Sequence, residues 1–244
     1  MEEPLLAARG LSRRFGGLAA VDGVSLDLRL GEIHAVIGPN GAGKTTLVNL
    51  LSGELKPSAG RITFAGRDIA GLAPARIARL GIARSYQRVN VFPAFSAFEN
   101  CRIAAQARIG GSFRIAREKK ALAATAERVL ALVGLEAPAR IAANLSHGER
   151  RQLEIAMTLA MEPKVLLLDE PLAGMGAEES RRMTALIASL AAGHAILLVE
   201  HDVDAVLSVA HRLTVMVEGA VLETGEPEAV RKSPSVQTAY LGEA

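Results

Sequence analysis

The stretch Ile33-His34-Ala35-Val36-Ile37-Gly38-Pro39-Asn40-Gly41-Ala42-Gly43-Lys44-Thr45-Thr46 decides the fold. Its first five residues form a short apolar run broken by Gly and Pro, which reads as a buried strand. Residues 38–45 fit the spacing G-x-x-x-x-G-K-[ST], and a helix is expected from Lys44 to about Ser52. Strand, glycine-rich turn and helix in that order make a phosphate cradle. Gly38, Gly41 and Gly43, with Pro39, Asn40 and Ala42 between them, allow a backbone whose N–H groups wrap phosphate oxygens. The helix adds the positive end of its dipole. Lys44 supplies a cation to β and γ phosphates, Thr45 a hydroxyl for Mg²⁺, and Thr46 follows on the first turn.

Working outward, Val165-Leu166-Leu167-Leu168-Asp169-Glu170 is an apolar strand ending in two carboxylates. Parallel strands present their C-terminal residues at the edge where open α/β sheets bind ligands. Asp169 is the candidate to hold Mg²⁺, and Glu170 the candidate to orient and deprotonate an attacking water. Taken alone, the pair could also be a strand end with helix-capping acids. Further strands are expected at Ala195–Val199 and Leu213–Val217, and a hairpin from Val215 to Thr224 around Glu218-Gly219. Leu5–Ala8, Val24–Leu28 and Arg61–Phe64 predict an N-terminal β region. Residues 76–160 read as mainly helical, with Leu122, Val129, Leu130 and Val133 on one apolar face and Leu153, Ala156, Met157 and Ala160 on another. Continuous apolar strands alternating with helices predict an α/β fold with a mostly parallel sheet.

Composition narrows the function classes. The 244 residues suit one large domain; 50% are hydrophobic and 22% charged, which excludes wholesale disorder. Mean hydropathy is +0.24 and the pI is near 8.9. A formal charge of +2, no Trp, two Tyr and six Phe give little for nucleic acid to bind, so none is expected as a partner. The single cysteine, Cys101, excludes an internal disulfide and points to a reducing compartment. Met1-Glu2-Glu3-Pro4 has no secretory pattern and no apolar run reaches spanning length, so any membrane role is expected through a partner.

Leu145-Ser146-His147-Gly148-Glu149 opens another helix with capping-box spacing. At this point the sequence resembles the ATP-binding cassette family, whose signature loop reads L-S-G-G-Q in this place. The resemblance covers essentially the whole chain. It implies a P-loop NTPase (RecA-like) core over about 1–88 and 162–214, an N-terminal antiparallel β region, an inserted helical subdomain over about 89–161, and a C-terminal hairpin and tail over about 215–244. It implies roles for Gln87 in Ser85-Tyr86-Gln87 (water and Mg²⁺), for His201 as the switch histidine, and for Phe15 as the aromatic that stacks on adenine. Ser146 and Gly148 would contact the nucleotide of a facing cassette. Read singly, Phe15 is more often a core or edge residue and His201 more often a satisfied structural histidine. His147 and Glu149 depart from the family's Gly and Gln, and Gly176 stands where its D-loop usually has Asp.

Within the family, Arg14–Val21, Gly31-Glu32-Ile33, Leu197–Asp202 and Ala239–Ala244 look most like the ATP-binding subunits of bacterial branched-chain amino acid importers. Importers of urea or short amides look alike there. The resemblance implies ATP and Mg²⁺ as cofactors, and a second cassette, homodimeric or a paralogue. It also implies two integral membrane permease subunits, an external substrate-binding protein acting indirectly, and a place at the cytoplasmic face of the bacterial inner membrane. A cassette uncoupled from transport, or a non-hydrolysing regulatory module, are the competing readings. The apolar segment Val89–Phe98, holding three of the six Phe, is expected either to dock a permease helix or to belong to the insert's own core.

Overall fold

The strand read from Ile33–Ile37 (β3) lies inside a six-stranded sheet. Ala195–Val199 (β8) pairs with it on one side and Arg212–Val217 (β9) on the other. Val165–Asp169 (β7) and Ile82–Arg84 (β6) extend the sheet beyond β8, all in parallel, and Ala220–Gly225 (β10) adds an antiparallel edge beyond β9. Leu6–Phe15 (β1), Leu18–Leu28 (β2), Ala59–Phe64 (β4) and Arg67–Asp68 (β5) form a second, antiparallel sheet in the order β2-β1-β4-β5. The helices are Lys44–Leu51 (α1), Pro74–Leu80 (α2), Ala97–Ile109 (α3), Lys119–Leu132 (α4), His147–Ala160 (α5), Ala177–Leu190 (α6), Val203–Val209 (α7) and Pro227–Lys232 (α8), with short helical turns elsewhere. This computed structural model describes residues 3–86, 90–109 and 118–241.

Every residue of β3, β7 and β8 is buried. Alternation along these strands divides the core in two. Ile33, Ala35, Ile37, Leu166, Leu168, Ile196 and Leu198 pack toward α3–α7, among Cys101, Leu122, Val129, Leu153, Ile187 and Val206. Val36, Val165, Leu167, Leu197 and Val199 face the other way, onto Leu47, Val48 and Leu51 of α1 and onto Leu6, Leu11, Leu28 and Ile62 of the second sheet. Two-sided burial is why these strands read as unbroken apolar runs.

Residues 76–160 are mainly helical, with one strand, β6, that pairs Ile82 with Val165 and Arg84 with Leu167. Three residues carry no readable period; the open edge of β7 makes them a strand. The N-terminal strands are also longer than Leu5–Ala8 and Val24–Leu28. Their pairing shifts register between Ala8 and Leu11 and again around Arg13, so the apolar alternation slips from face to face. The hairpin turn is where it was expected: Glu218 (φ 49°) and Gly219 (φ 84°) join β9 to β10 as a two-residue loop with both φ positive.

His34 is 1% exposed in the central strand. Its Nδ1 donates to the Asp27 carbonyl at 2.9 Å, which leaves Nε2 to accept from Thr214 Oγ1 at 2.7 Å. Thr224 Oγ1 lies 2.8 Å beyond Thr214 Oγ1. The neutral ring thereby links β2, β3, β9 and β10. Burial lowers the His34 pKa from 6.5 to about 4, opposed by the bond to Asp27. The unfolded chain takes up this proton first, so His34 costs stability as pH falls from 6.5 toward 4, by about 3 kcal/mol in all. Urea unfolding at stepped pH should show this acid limb, and His34→Gln should flatten it between those values.

Candidate nucleotide site

Gly38 and Gly43 are required by close approach. A Cβ on Gly38 would overlap the Met216 carbonyl oxygen, and one on Gly43, at φ 95°, would overlap that of Ala20. The loop is pressed between the β9–β10 hairpin and β2, with Gly219 N–H donating to Ala42 O at 3.1 Å and Asp22 N–H to Gly219 O at 2.8 Å. Gly43 caps α1 without a side chain, so the first-turn N–H groups stay available to an anion. A groove of about 600 Å³ opens here, lined by Asn40, Gly41, Ala42, Gly43, Lys44, Thr45 and Thr46, and by Leu18–Ala20, Glu170 and Glu218. Gly38 is buried and Pro39 half-buried, and neither lines the groove.

Lys44 Nζ folds onto the loop, donating to Gly38 O at 2.6 Å and Pro39 O at 3.0 Å. Burial lowers its pKa, and Glu170 and Asp169 push it back up. Asp169 ends β7 wholly buried. Its Oδ2 lies 3.4 Å from Arg84 Nη2, its N–H donates to Ser85 Oγ, and its Oδ1 is buried without a hydrogen-bond partner. Burial raises the Asp169 pKa, against the pull of Arg84. A buried carboxylate oxygen with nothing to accept from fits a hydrated cation, and the exposed Thr45 hydroxyl adds a hard donor. Among the described residues no group of three His, Cys, Asp or Glu could hold a metal by itself; a Mg²⁺ that keeps its waters and takes phosphate oxygens needs none.

Glu170 continues the sheet ladder, its N–H donating to Val199 O at 2.9 Å, and turns at φ 51° to line the groove. His201 lies exposed just beyond β8, outside the groove lining, with Nδ1 at 3.6 Å from Glu200 Oε2. Gln87 lies outside the described residues. Phe15 is exposed at the end of β1 with the Arg13 guanidinium 4.7 Å above its ring; Leu18, its partner across the strand turn, is the side chain from this corner that lines the groove.

Ser146 and Gly148 do not meet Lys44. They line a separate groove of about 890 Å³ with Gln152, Met175, Glu179 and Met183. Ser146 caps α5: its Oγ accepts from Glu149 N–H at 3.2 Å, and Glu149 Oε2 accepts from Ser146 N–H at 2.7 Å. Glu149 thus turns back into the cap, where the Ser146 N–H and then Arg140 hold its carboxyl below the usual range. The His147 ring lies against Gly174, where a Cβ would collide with it. A Cβ on Gly148 would strike the carboxylate of Glu179, which also accepts the N–H of Gly176 at 3.2 Å.

Several residues with no reading from the sequence matter here. Glu218, seen only as a turn, puts a carboxylate on the groove rim. Glu200, fully buried, accepts N–H bonds from Leu172 at 2.8 Å and His201 at 3.2 Å, tying the turn after Glu170 to His201. Asn100 is buried in α3 and grips Phe92, accepting its N–H at 2.7 Å and donating to its carbonyl at 3.1 Å. A polar residue on an otherwise apolar helix face is the one signal that could have marked it. Phe92 and Phe95 are exposed, edge to face at 6.0 Å, whereas Phe98 packs against the core, so of the three Phe it is Phe98 that belongs to the insert's own core.

A phosphate cradle at the carboxyl edge of a parallel sheet, with paired carboxylates beside it and a capped helix facing another groove, defines a cassette ATPase. The family model for the ABC transporter matches residues 21–173, and the chain belongs to that family. It is 42% identical to the high-affinity branched-chain amino acid transport ATP-binding protein LivG of Salmonella typhimurium, over all of both chains. To BraF of Pseudomonas aeruginosa, a protein of the same description, it is 39% identical, again over both whole chains. Among solved structures it resembles an ATP-binding cassette of an ABC transporter in its ADP conformation (TM-score 0.87, 30% identity, 99% of this chain and 100% of that one). A nucleotide-free cassette gives a TM-score of 0.85 at 29% identity, covering 97% and 98%.

The Ser146 cap has a measurable worth. Ser146→Ala should lower unfolding free energy by about 1 kcal/mol in urea titration, and Ser146→Asp, another good cap, should restore it.

Proposed function

We propose that the chain is the ATP-hydrolysing subunit of a bacterial importer for branched-chain or other small amino acids. The observation that carries this reading is the split between two grooves. Lys44 and Glu170 share one; Ser146 and Gly148, on a helix N-terminus suited to an anion, share another. One chain therefore holds two halves of different nucleotide sites, and two copies or paralogues set head to tail complete both. Full-length identity to the LivG and BraF proteins supports the substrate class.

In this reading Phe15 and Leu18 hold adenine, and the residues from Gly38 to Thr46 hold the phosphates. Thr45 and Asp169, with Gln87, hold Mg²⁺, which when bound neutralises charge on the β and γ phosphates. The Glu170 carboxylate takes a proton from a water as its oxygen bonds to the γ phosphorus and the bond to the ADP oxygen breaks. His201 and Gln87 orient the γ phosphate and that water, and the partner's signature helix covers the nucleotide. Splitting off phosphate leaves two anions in the interface, so the pair reopens, and the permease reads that cycle. The segment around 89–161 serves as a helical subdomain between core and permease. Phe92 and Phe95, held outward by Asn100, form the docking surface for a permease helix, with a substrate-binding protein acting from outside. Attachment at the inner face runs through that contact in this reading; among the described residues no helix is long and apolar enough to cross a membrane.

Glu170→Gln should retain ATP and lower turnover by roughly 10²–10⁴; full activity in that variant would remove Glu170 from the role. Lys44→Ala should abolish nucleotide binding in an equilibrium titration. Phe92→Ala with Phe95→Ala should release the permease on co-purification while nucleotide affinity stays at the wild-type value. ATPase assays of the assembled complex across amino acids, urea and short amides then identify the cargo; stimulation by urea alone would reject the amino-acid reading.

A further inference from the structure

Glu218 stands on the rim of the cradle groove, and neither the phosphate chemistry nor the fold accounts for it. It is the first residue of the two-residue loop between β9 and β10, at φ 49°, with Gly219 after it at φ 84°. A loop with both φ positive favours Asn, Asp or Gly at its first position, where a short polar side chain can bond its own backbone. The turn between β4 and β5 has the same form, with Ala65 at φ 47° and Gly66 at φ 75°, so the geometry itself calls for no carboxylate. Among the described residues four besides glycine have positive φ: Ala65, Glu162, Glu170 and Glu218. Two of them, Glu170 and Glu218, line this one groove. Backbone strain of this kind gathers at ligand sites.

The two carboxylates come from different walls. Glu170 follows β7 and acts by charge on Lys44, together with Asp169. The loop that carries Glu218 is seated on the start of β2: Asp22 N–H donates to Gly219 O, and a Cβ on Gly219 would lie 2.8 Å from Ala19 O. Leu18, Ala19 and Ala20 line the groove on that side, where the proposed function puts adenine. Glu218 is exposed, and among the described residues no donor holds its carboxylate. A free carboxylate repels a triphosphate but accepts readily from O–H groups. In a nucleotide lying from Lys44 to Leu18, the part between phosphates and base is the ribose. Its neighbouring hydroxyls offer two donors to the two oxygens of one carboxylate. We propose that Glu218 binds the ribose hydroxyls of the nucleotide, so that the site selects a ribonucleoside triphosphate over its deoxy forms. The inference rests on the reading of this groove as the ATP site.

The test uses the full chain with Mg²⁺ present. Equilibrium affinities are measured for ATP, 2′-deoxy-ATP, 3′-deoxy-ATP and inorganic tripolyphosphate on the wild type, Glu218→Ala, Glu218→Asn and Lys44→Ala. The wild type should bind ATP about tenfold more tightly than either deoxy form, the scale of a hydrogen bond to a charged group. In Glu218→Ala and Glu218→Asn, ATP should bind about tenfold more weakly and the three nucleotides within about twofold of one another. Tripolyphosphate should bind these variants at least as tightly as the wild type, because it lacks the ribose and a negative charge is gone. Glu218→Asn should also raise the thermal midpoint by about 2 °C, as the better turn residue, and it carries the test if Glu218→Ala fails to fold. Greater stability with ribose selection lost is what a merely structural turn residue would not give. Wild-type discrimination retained in Glu218→Asn, no discrimination in the wild type, or a loss of tripolyphosphate affinity equal to that of ATP would each overturn the proposal. Wild-type ATP affinity in Lys44→Ala would instead overturn the reading of the groove, and the proposal with it.

Discussion

The register of three buried strands brings the reactive groups to one edge of the sheet. Val36 of β3 pairs with Val199 of β8, and Val199 with Asp169 of β7. The ladder runs one step past the strands: Glu170 N–H donates to Val199 O, and Glu200 N–H to Val36 O. Gly38, Asp169, Glu170 and Glu200 therefore leave the sheet at nearly the same level. A slip of one residue in β7 would turn Asp169 to the opposite face, away from the cradle. Packing enforces the register, because Leu166 and Leu168 face one core while Val165 and Leu167 face the other.

Around that edge, buried polar side chains hold loops by their main chain. Glu200 takes N–H groups from Leu172 and His201, Glu154 from Tyr86, and Asn100 brackets Phe92. Burial raises the pKa of both carboxylates, Glu154 and Glu200, while these N–H bonds pull it back. Each anchor trades desolvation for a loop fixed in one geometry, and the anchored loops are those that touch nucleotide or permease in the proposed function. Arg84 works similarly by charge, joining α1, Asp169 and Tyr86.

The departures in the signature and D-loop also find their place in this packing. Glu149 spends its charge on the Ser146 cap and Arg140 instead of facing an anion. His147 occupies the room that Gly174 leaves, and Glu179 fills the N-terminus of α6 where the family has an aspartate nearby at the position of Gly176. A side chain at 174 would crowd the His147 ring as it lies here.

The cradle, the carboxylate pair, the S-x-x-E cap and the Glu218-Gly219 turn were all legible because each is local. Each is a backbone demand or a short-range hydrogen bond met by a residue type at fixed spacing, and the unbroken apolar runs told of strands buried on both faces. The tertiary structure alone decided that Ile82–Arg84 is a strand, which of the three Phe face outward, and that Glu154 reaches Tyr86 and Glu200 reaches Leu172. Those depend on contacts between residues far apart in the chain, where spacing carries no information. That the signature and the cradle open into different grooves came from the family resemblance and not from spacing, because the direction in which a helix end points is set by what the helix packs against.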